Sequence, residues 1–483
     1  MGRAPPLKAS TSMPAIHEKL PATSAAASRK GASHATTVAV IGGGISGLAA
    51  AFRLARGGAS VTLYEASREL GGLGTFFDHE GRTFEKFYHC MLPSDGPLLA
   101  LLNDLGLKDE VYWKPTSFGY WHDEEVLPLN TPKDLLKFKP LNFLSRLRVG
   151  FTGVYGSKIS DKGLDDVSAV DWLTKLSGRS AFRTFWKPML LAKFGDRYQD
   201  VPALWFWSRF NREKGDTKKG EVKGYIKGGY KRIIDTLEKK LRAMGVDIRM
   251  GEPVVAVDLD ARHRPVIVTE DGTRRFERLV VTSPWTVFAK SAGPRLRSLM
   301  PKMETPIDYQ GVINCLLFLR KPLTPHYWVA TPQEQFPFDG VIETSTLTDE
   351  SDRGERHVVY LTKYLHRTDE RFGEDGDTIA ARWWQSLKEV FPHLRDEDRE
   401  ATHVFHAPFV EPLYTRGYLK KRPNEAIVPG RIYLSTTAQV YPVVTSWNGA
   451  VGQVNRTLGM MEADGVPMTA PAAARAAATM ATA

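Results

Sequence analysis

A short apolar run, Val38 to Ile41, leads straight into three glycines, Gly42, Gly44 and Gly47, after which the spacing of apolar residues changes from that of a strand to that of a helix. The stretch TVAVIGGGISGLAAAFRLARGGASVTLYEASRELGGLG predicts a strand and a glycine turn, then a helix from Ile45 to about Arg56 with Leu48, Phe52 and Ala55 on one face. A second strand, SVTLYE, then ends on Glu65. Few folds accept this order. It is the first half of a parallel sheet that binds a dinucleotide at the turn. Gly42 makes the tight turn, Gly44 lets backbone approach a pyrophosphate, and Gly47 lets helix and strand pack closely. The helix N-terminus offers partial positive charge to the phosphates. Glu65, about twenty residues on, is placed to accept hydrogen bonds from ribose hydroxyls.

The continuation, Glu65 followed after five residues by Gly71 and Gly72, resembles the flavoprotein superfamily that contains amine oxidases, protoporphyrinogen oxidase and phytoene desaturases. GYIKGGYKRIIDTLEKKLRAMGVDIRMGEPVVAVD, RRFERLVVTSPW and RIYLSTTAQVYPVVTSWNGAVGQVNRTL are similar to later segments of the same superfamily, so the resemblance covers roughly Thr37 to Met461. It implies FAD as cofactor. It also implies contacts from Gly42, Gly43, Gly44, Ser46 and Gly47 at the turn, from Glu65, Ala66 and Arg68 after the second strand, and from Gly71 and Gly72 beside the flavin-side phosphate. Tyr88, a strand residue Val254 facing the adenine through its backbone, and Thr437, Ala450 and Val451 in the closing segment complete the set. Many relatives carry an acidic residue in that closing segment. STTAQVYP has none, which leaves Thr436, Thr437 and Gln439 as neutral donors in its place.

A chain of 483 residues exceeds one ordinary core. The fold class expected is α/β: a Rossmann-like FAD-binding domain, a parallel sheet with flanking helices, plus an inserted α+β substrate domain with a mixed sheet. The cofactor domain is assigned to 37–130, 215–290 and 405–465, and the substrate domain to 131–214 and 291–404. The first 36 residues hold five Lys or Arg against one Glu and are rich in Ala and Ser. They read as a disordered basic tail, with an organelle transit peptide as the alternative; residues 466–483 read as a second tail. No run reaches the roughly 18 apolar residues of a spanning helix. The net charge of +10 lies partly in the first tail, so nucleic acid is not the expected partner. The expected setting is cytoplasmic.

Two readings attach to KDLLKFKPLNFLSRLRVGF, which mixes Lys133, Lys137, Lys139, Arg146 and Arg148 with apolar residues. One is peripheral contact of 133–151 with an anionic membrane; the other is a solvated helical face. Trp186, Phe194, Trp205, Phe206 and Trp207 either line an apolar cavity or form core. YQGVINCLLFL is similar to the strand from which amine oxidases project a lysine toward the flavin, but the matching position is Asn314. Lys363 is then either a substitute or a surface lysine, and His326, Tyr327, Trp328 and Glu343 are candidate pocket residues.

FEKFYHCML sets His89 beside Cys90, one of only two cysteines. The pair reads as a Cys-His dyad, a metal half-site or wall; no third or fourth ligand can be assigned to a metal, and the resemblance implies that this stretch runs along the flavin ring, as wall or with His89 as the proton-handling residue, with unrelated packing as the remaining reading. The function expected is that of an FAD-dependent oxidase, dehydrogenase or desaturase taking a hydride from a largely apolar or amphiphilic, lipid-like small molecule. With no second dinucleotide motif, the electrons pass on to oxygen, a quinone or another acceptor. Two alternatives remain: a non-redox flavoenzyme similar to UDP-galactopyranose mutase acting on a sugar nucleotide, and a lipid-chaperoning protein resembling the Rab GDP-dissociation inhibitors.

Overall fold

The computed structural model describes residues 35–156, 158–212, 221–301, 306–331 and 334–465; both expected tails lie outside the described residues, apart from Ala35 and Thr36. The described residues from Thr36 onward form one compact unit.

Its first layer is the sheet that the glycine motif requires. Thr37–Ile41 is flanked in parallel by Ser60–Glu65 and Arg278–Val281; Asp247–Met250 and Ile432–Leu434 continue the parallel order outward, and Ala426–Val428 closes one edge antiparallel. Alternation of side chains dictates how it is covered. Val38, Val40, Val61, Leu63 and Val280 point into a core shared with helices Ile45–Arg56, Lys231–Ala243 and Trp447–Ala463. Ala39, Tyr64, Leu279 and Val281 point the other way, against a small antiparallel sheet of Ala256–Leu259, Pro265–Thr269 and Gly272–Arg275. The helix from Lys231 buries Ile233, Leu237 and Leu241, which recur every four residues along one face. Val254 is a correction: it precedes the strand Ala256–Leu259 and belongs to no strand.

A second, seven-stranded mixed sheet runs in the order Arg399–Pro412, Tyr309–Leu319, His357–His366, Gly340–Glu343, Trp328–Ala330, Phe118–His122, Glu125–Pro128. Ile313, Cys315, Leu317 and Leu319 pack onto Trp383, Trp384 and Leu387 of helix Gly376–Val390. Leu316, Phe318, Val358 and Tyr360 face the first layer. Phe118–His122 and Glu125–Pro128, assigned above to the cofactor domain, extend this second sheet, and Arg399–Pro412 crosses the 404/405 boundary. We propose sheet membership as the better division between cofactor and substrate regions.

A helical layer between residues 132 and 212 completes the unit. Trp186, Phe194, Trp205 and Phe206 are buried against one another there, and half-buried Trp207 donates its indole N–H to Ile159 O at 2.9 Å. Of the two readings of this aromatic stretch, core is the one the packing supports.

Candidate flavin site

At the end of the first strand the backbone turns with Gly42 at φ +106°, a region that glycine alone enters freely, and the Gly42 amide donates to Tyr64 O at 2.8 Å. A Cβ at Gly47 would sit 1.7 Å from Gly42 O, so helix and turn are in backbone contact. Gly44 differs: nothing lies within 3.8 Å of where its Cβ would be. Gly44 is also the N-cap of helix Ile45–Arg56 and has no side-chain cap, so the first-turn amides, near half-buried Ser46, keep their donors for a ligand.

The second glycine pair comes to the first. Gly71 donates to Gly43 O at 2.9 Å, a bridge joins Gly44 to Gly71, and a Cβ on Gly72 would stand 3.2 Å from Gly44 Cα. Gly71 and Gly72 both have positive φ, at 124° and 59°. Glu65 ties the pieces together: one carboxylate oxygen accepts from Gly43 N at 2.6 Å and the other from Ser67 N at 2.8 Å. Ala66 and Arg68 are exposed beside it, with Arg68 lying along Gly251.

On the opposite rim the closing segment forms a 3-10 turn, Thr437–Gln439. Thr436 and Gln439 are bonded to each other, with Thr436 N and Oγ1 donating to Gln439 Oε1 at 2.9 and 2.8 Å. Gln439 Nε2 and Ser435 Oγ are buried and lack a hydrogen-bond partner among the described residues. Buried donors left unmade are costly, so these two atoms are the structure's own sign of a missing polar group. Half-buried Thr437 is bonded to Tyr309. In helix Trp447–Ala463 the Ala450 amide is already taken by Ser446 O at 2.9 Å, and Ser446 Oγ accepts from Gly449 N at 3.1 Å. Val451 lies buried beyond them, so the amides without helical acceptors lie nearer the N-terminus, at Trp447 and Asn448. An open Gly44, a closed Gly47, an acidic Glu65 and orphaned donors at 435 and 439 fit the phosphates and ribose of a dinucleotide.

The segment 86–90 crosses from this region to the second sheet in irregular backbone, and its side chains diverge. Tyr88 reaches the sheet, its hydroxyl 3.5 Å from that of Tyr364, and burial raises its pKa. His89 packs on Tyr230 and Trp447 at ring separations of 4.9 and 5.5 Å, with Nδ1 3.7 Å from Glu85 Oε2. Glu85 is fixed by Tyr225 Oη and Tyr230 N, which donate to its Oε1 at 2.7 and 2.8 Å. Cys90 turns toward Tyr327, and burial pushes its thiol up. His89 turns to Glu85 and Cys90 to Tyr327, and the thiol is protonated at neutral pH, which removes a nucleophilic dyad. Among the described residues no group of His, Cys, Asp or Glu is arranged to hold a metal. A cavity of about 300 Å³ is lined by His89 together with Glu85, Tyr225 and Tyr360.

The second sheet's inner face supplies three polar groups that sequence reasoning missed, Gln310, Glu411 and Lys193. Gln310 Nε2 donates to Glu411 Oε1 at 2.7 Å, Lys193 Nζ pairs with the same carboxylate, and Glu411 Oε2 is buried without a partner among the described residues. Lys193 also lies over the Tyr364 ring at 4.0 Å. Asn314, two pleats from Gln310 on the same face, donates to Lys86 O at 3.3 Å. The available signal was Gln310 and Asn314, two polar residues four apart in an apolar run.

Other candidates resolve differently. Lys363 is neither exposed nor on the inner face: it is 4% exposed and paired with Asp339 at 2.7 Å. Glu343 is buried and accepts from Leu323 N and Thr324 N, a structural cap. His326 bonds Ser117 at 2.9 Å, Tyr327 is buried beside Cys90, and half-buried Trp328 pairs in the sheet.

Comparison with known proteins agrees with this geometry. Residues 45–441 match the family model of flavin-containing amine oxidoreductases. The chain is 22% identical over 452 residues to 15-cis-phytoene desaturase of Synechococcus elongatus, covering 86% of this chain and 93% of that one. It is 32% identical to mitochondrial protoporphyrinogen oxidase of Nicotiana tabacum over 113 residues, which is 23% of this chain and only 22% of that relative. Reduced UDP-galactopyranose mutase superposes with a TM-score of 0.68 at 15% identity, over 90% of this chain and 99% of its own, a likeness of fold alone.

Proposed function

The chain belongs to the flavin-containing amine oxidoreductase family and is an FAD-dependent oxidoreductase; from that premise we propose that it takes a hydride from a largely apolar small molecule that carries one polar end. The observation that supports this substrate class is the inner face of the second sheet. Val312, Tyr364 and Tyr88 give it apolar surface, while Gln310, Glu411 and Lys193 form a polar cluster at one end. Such a face binds an amphiphile by its hydrocarbon and orients it by its head.

When bound, the cofactor supplies the acceptor for the hydride, and the protein binds, orients and tunes. The residues that would hold it are Gly42 to Gly47 at the pyrophosphate, Glu65 at the ribose, Gly71 and Gly72 alongside, Ser435 and Gln439 as neutral donors, and Trp447 and Asn448 at the last helix. Tyr88 and Asn314 form the seam between glycine turns and sheet. His89, backed by Glu85 and boxed by Tyr230 and Trp447, holds or moves a proton there. The electron acceptor is oxygen, a quinone or another small oxidant.

The test is anaerobic mixing of the purified yellow protein with candidate amphiphiles while its visible flavin band is followed. Bleaching by an apolar substrate with a polar end, and its loss in Glu411→Gln, support the reading. A protein that is never bleached, yet converts a sugar nucleotide once its flavin is reduced in advance, belongs instead to the mutase class.

A further inference from the structure

Helix Phe143–Gly156 is built inside out. At 100° per residue, Phe143, Leu144, Leu147, Phe151, Val154 and Tyr155 fall within one arc of about 120°, and all six are exposed, Phe143 at 65%, Leu144 and Val154 at 60% and Phe151 at 54%. The buried positions are Ser145, Val149, Thr152 and Gly156, on the opposite side. A helix that packs on a core by small residues while showing its large apolar ones to solvent reverses the usual pattern. The inward contact is complete: a Cβ on Gly156 would meet Trp172 at 3.2 Å and Phe210 at 3.3 Å. Thr152 Oγ1 is satisfied by Arg148 O at 2.7 Å. Leu136, on the preceding helix Pro132–Lys137, adds a seventh exposed side chain at 47%, and Arg146 fixes the connection by donating to Leu141 O and Leu136 O, each at 2.7 Å. Seven of the sixteen exposed large hydrophobic residues among those described thus lie between Leu136 and Tyr155. Scattered exposed apolar residues are ordinary; a patch of this kind marks a contact.

Charge selects the partner. From residue 133 to 158 there are six basic side chains, Lys133, Lys137, Lys139, Arg146, Arg148 and Lys158, against one acid, Asp134. That acid is consumed locally, accepting from Asn130 N and Thr131 N at 3.0 and 2.9 Å. Lys133, Lys137, Lys139 and Lys158 are exposed around the apolar arc. No charged residue lies within it. Among the described residues no helix is long and apolar enough to cross a membrane, and this one has only 14 residues. We propose that the helix docks in the plane of an anionic lipid bilayer, its phenylalanine and leucine side chains in the acyl boundary and its lysines at the headgroups.

Full-length flavin-loaded protein is floated with vesicles of phosphatidylcholine alone and of phosphatidylcholine mixed with phosphatidylglycerol. Expected is recovery with the mixed vesicles that falls about tenfold or more in Leu147→Ser/Phe151→Ser. Lys137→Glu/Lys139→Glu should lose about tenfold on mixed vesicles and little on phosphatidylcholine. Flavin content and thermal midpoint stay at the wild-type value in both variants, since the altered side chains are exposed. Wild-type protein that stays unbound to mixed vesicles overturns the proposal, as does equal recovery of Leu147→Ser/Phe151→Ser. A lipid-independent dimer that this variant converts to monomer would overturn it too, in favour of a second copy as the occupant.

Discussion

At Gly47 a methyl group has nowhere to go, whereas at Gly44 it meets only Gly72 Cα at 3.8 Å and Gly71 O at 3.9 Å, and the two glycines therefore fail differently. Gly47→Ala sets a carbon 1.7 Å from Gly42 O; the helix must move off the turn, at a cost of about 1–3 kcal/mol, and flavin is lost with stability. Gly44→Val leaves the flavin-free fold nearly as stable and removes only the approach of phosphate to backbone. Thermal melts of flavin-free protein together with flavin content after gel filtration separate the two outcomes. These glycines were legible in the sequence because backbone geometry, not packing, dictates them. His89 was legible as a residue but not in its role, since its neighbours Glu85, Tyr230 and Trp447 are brought together only by the fold. His89→Ala is expected to stay yellow and to be reduced by substrate about 100-fold more slowly, with part of the rate restored by imidazole in solution. An undiminished rate would make the residue plain wall.

Strands decide what their residues can do by which face they present. Ile313 and Lys363 are partners across the ladder and turn away from the flavin side, whereas Asn314 and Thr362 turn toward it. A one-residue difference in register thus puts a lysine in a buried ion pair instead of the reaction chamber. Lys363→Met leaves Asp339 buried without its cation, and burial already raises that carboxyl to about 6. The variant should unfold about 3–5 kcal/mol more easily, measured by urea titration, yet its flavin should be reduced at the wild-type rate. A rate loss without a stability loss would return Lys363 to the chemistry. The strand Tyr309–Leu319 was readable as an element from its apolar run, and its polar pair Gln310 and Asn314 was visible there. Their partner Glu411 was not, because 101 residues separate it from Gln310 and only the antiparallel register joins them. Helix Phe143–Gly156 is a similar case: its composition was plain, but which face turns outward is settled by where Trp172 and Phe210 accept a close backbone.

Across the whole molecule, the groups assembled around Gly44 come from the first strand and turn, the end of the second strand, the pair at 71 and 72, and the segments at 435–439 and 447–448. They are separated by as much as four hundred residues, and the fold brings them to one place by closing the parallel sheet with Ile432–Leu434 beside Arg278–Val281. The two-layer plan followed from the glycine motif, while the strand order of the second sheet had no local signature, since its seven strands are drawn from three separated stretches. A ligand gripped by such distant segments couples them, because binding to the folded state alone stabilises every element that the site requires. Free flavin at a hundredfold excess over its dissociation constant adds about 2.7 kcal/mol to unfolding. The thermal midpoint should therefore rise with added FAD in the wild-type protein and stay flat in Gly44→Val. Hydrogen exchange sharpens the test: FAD should slow exchange at residues 42–48, 65–72 and 435–450 together. Protection confined to residues 42–72 would mean that the closing segment takes no part, and that Ser435 and Gln439 are orphaned for another reason.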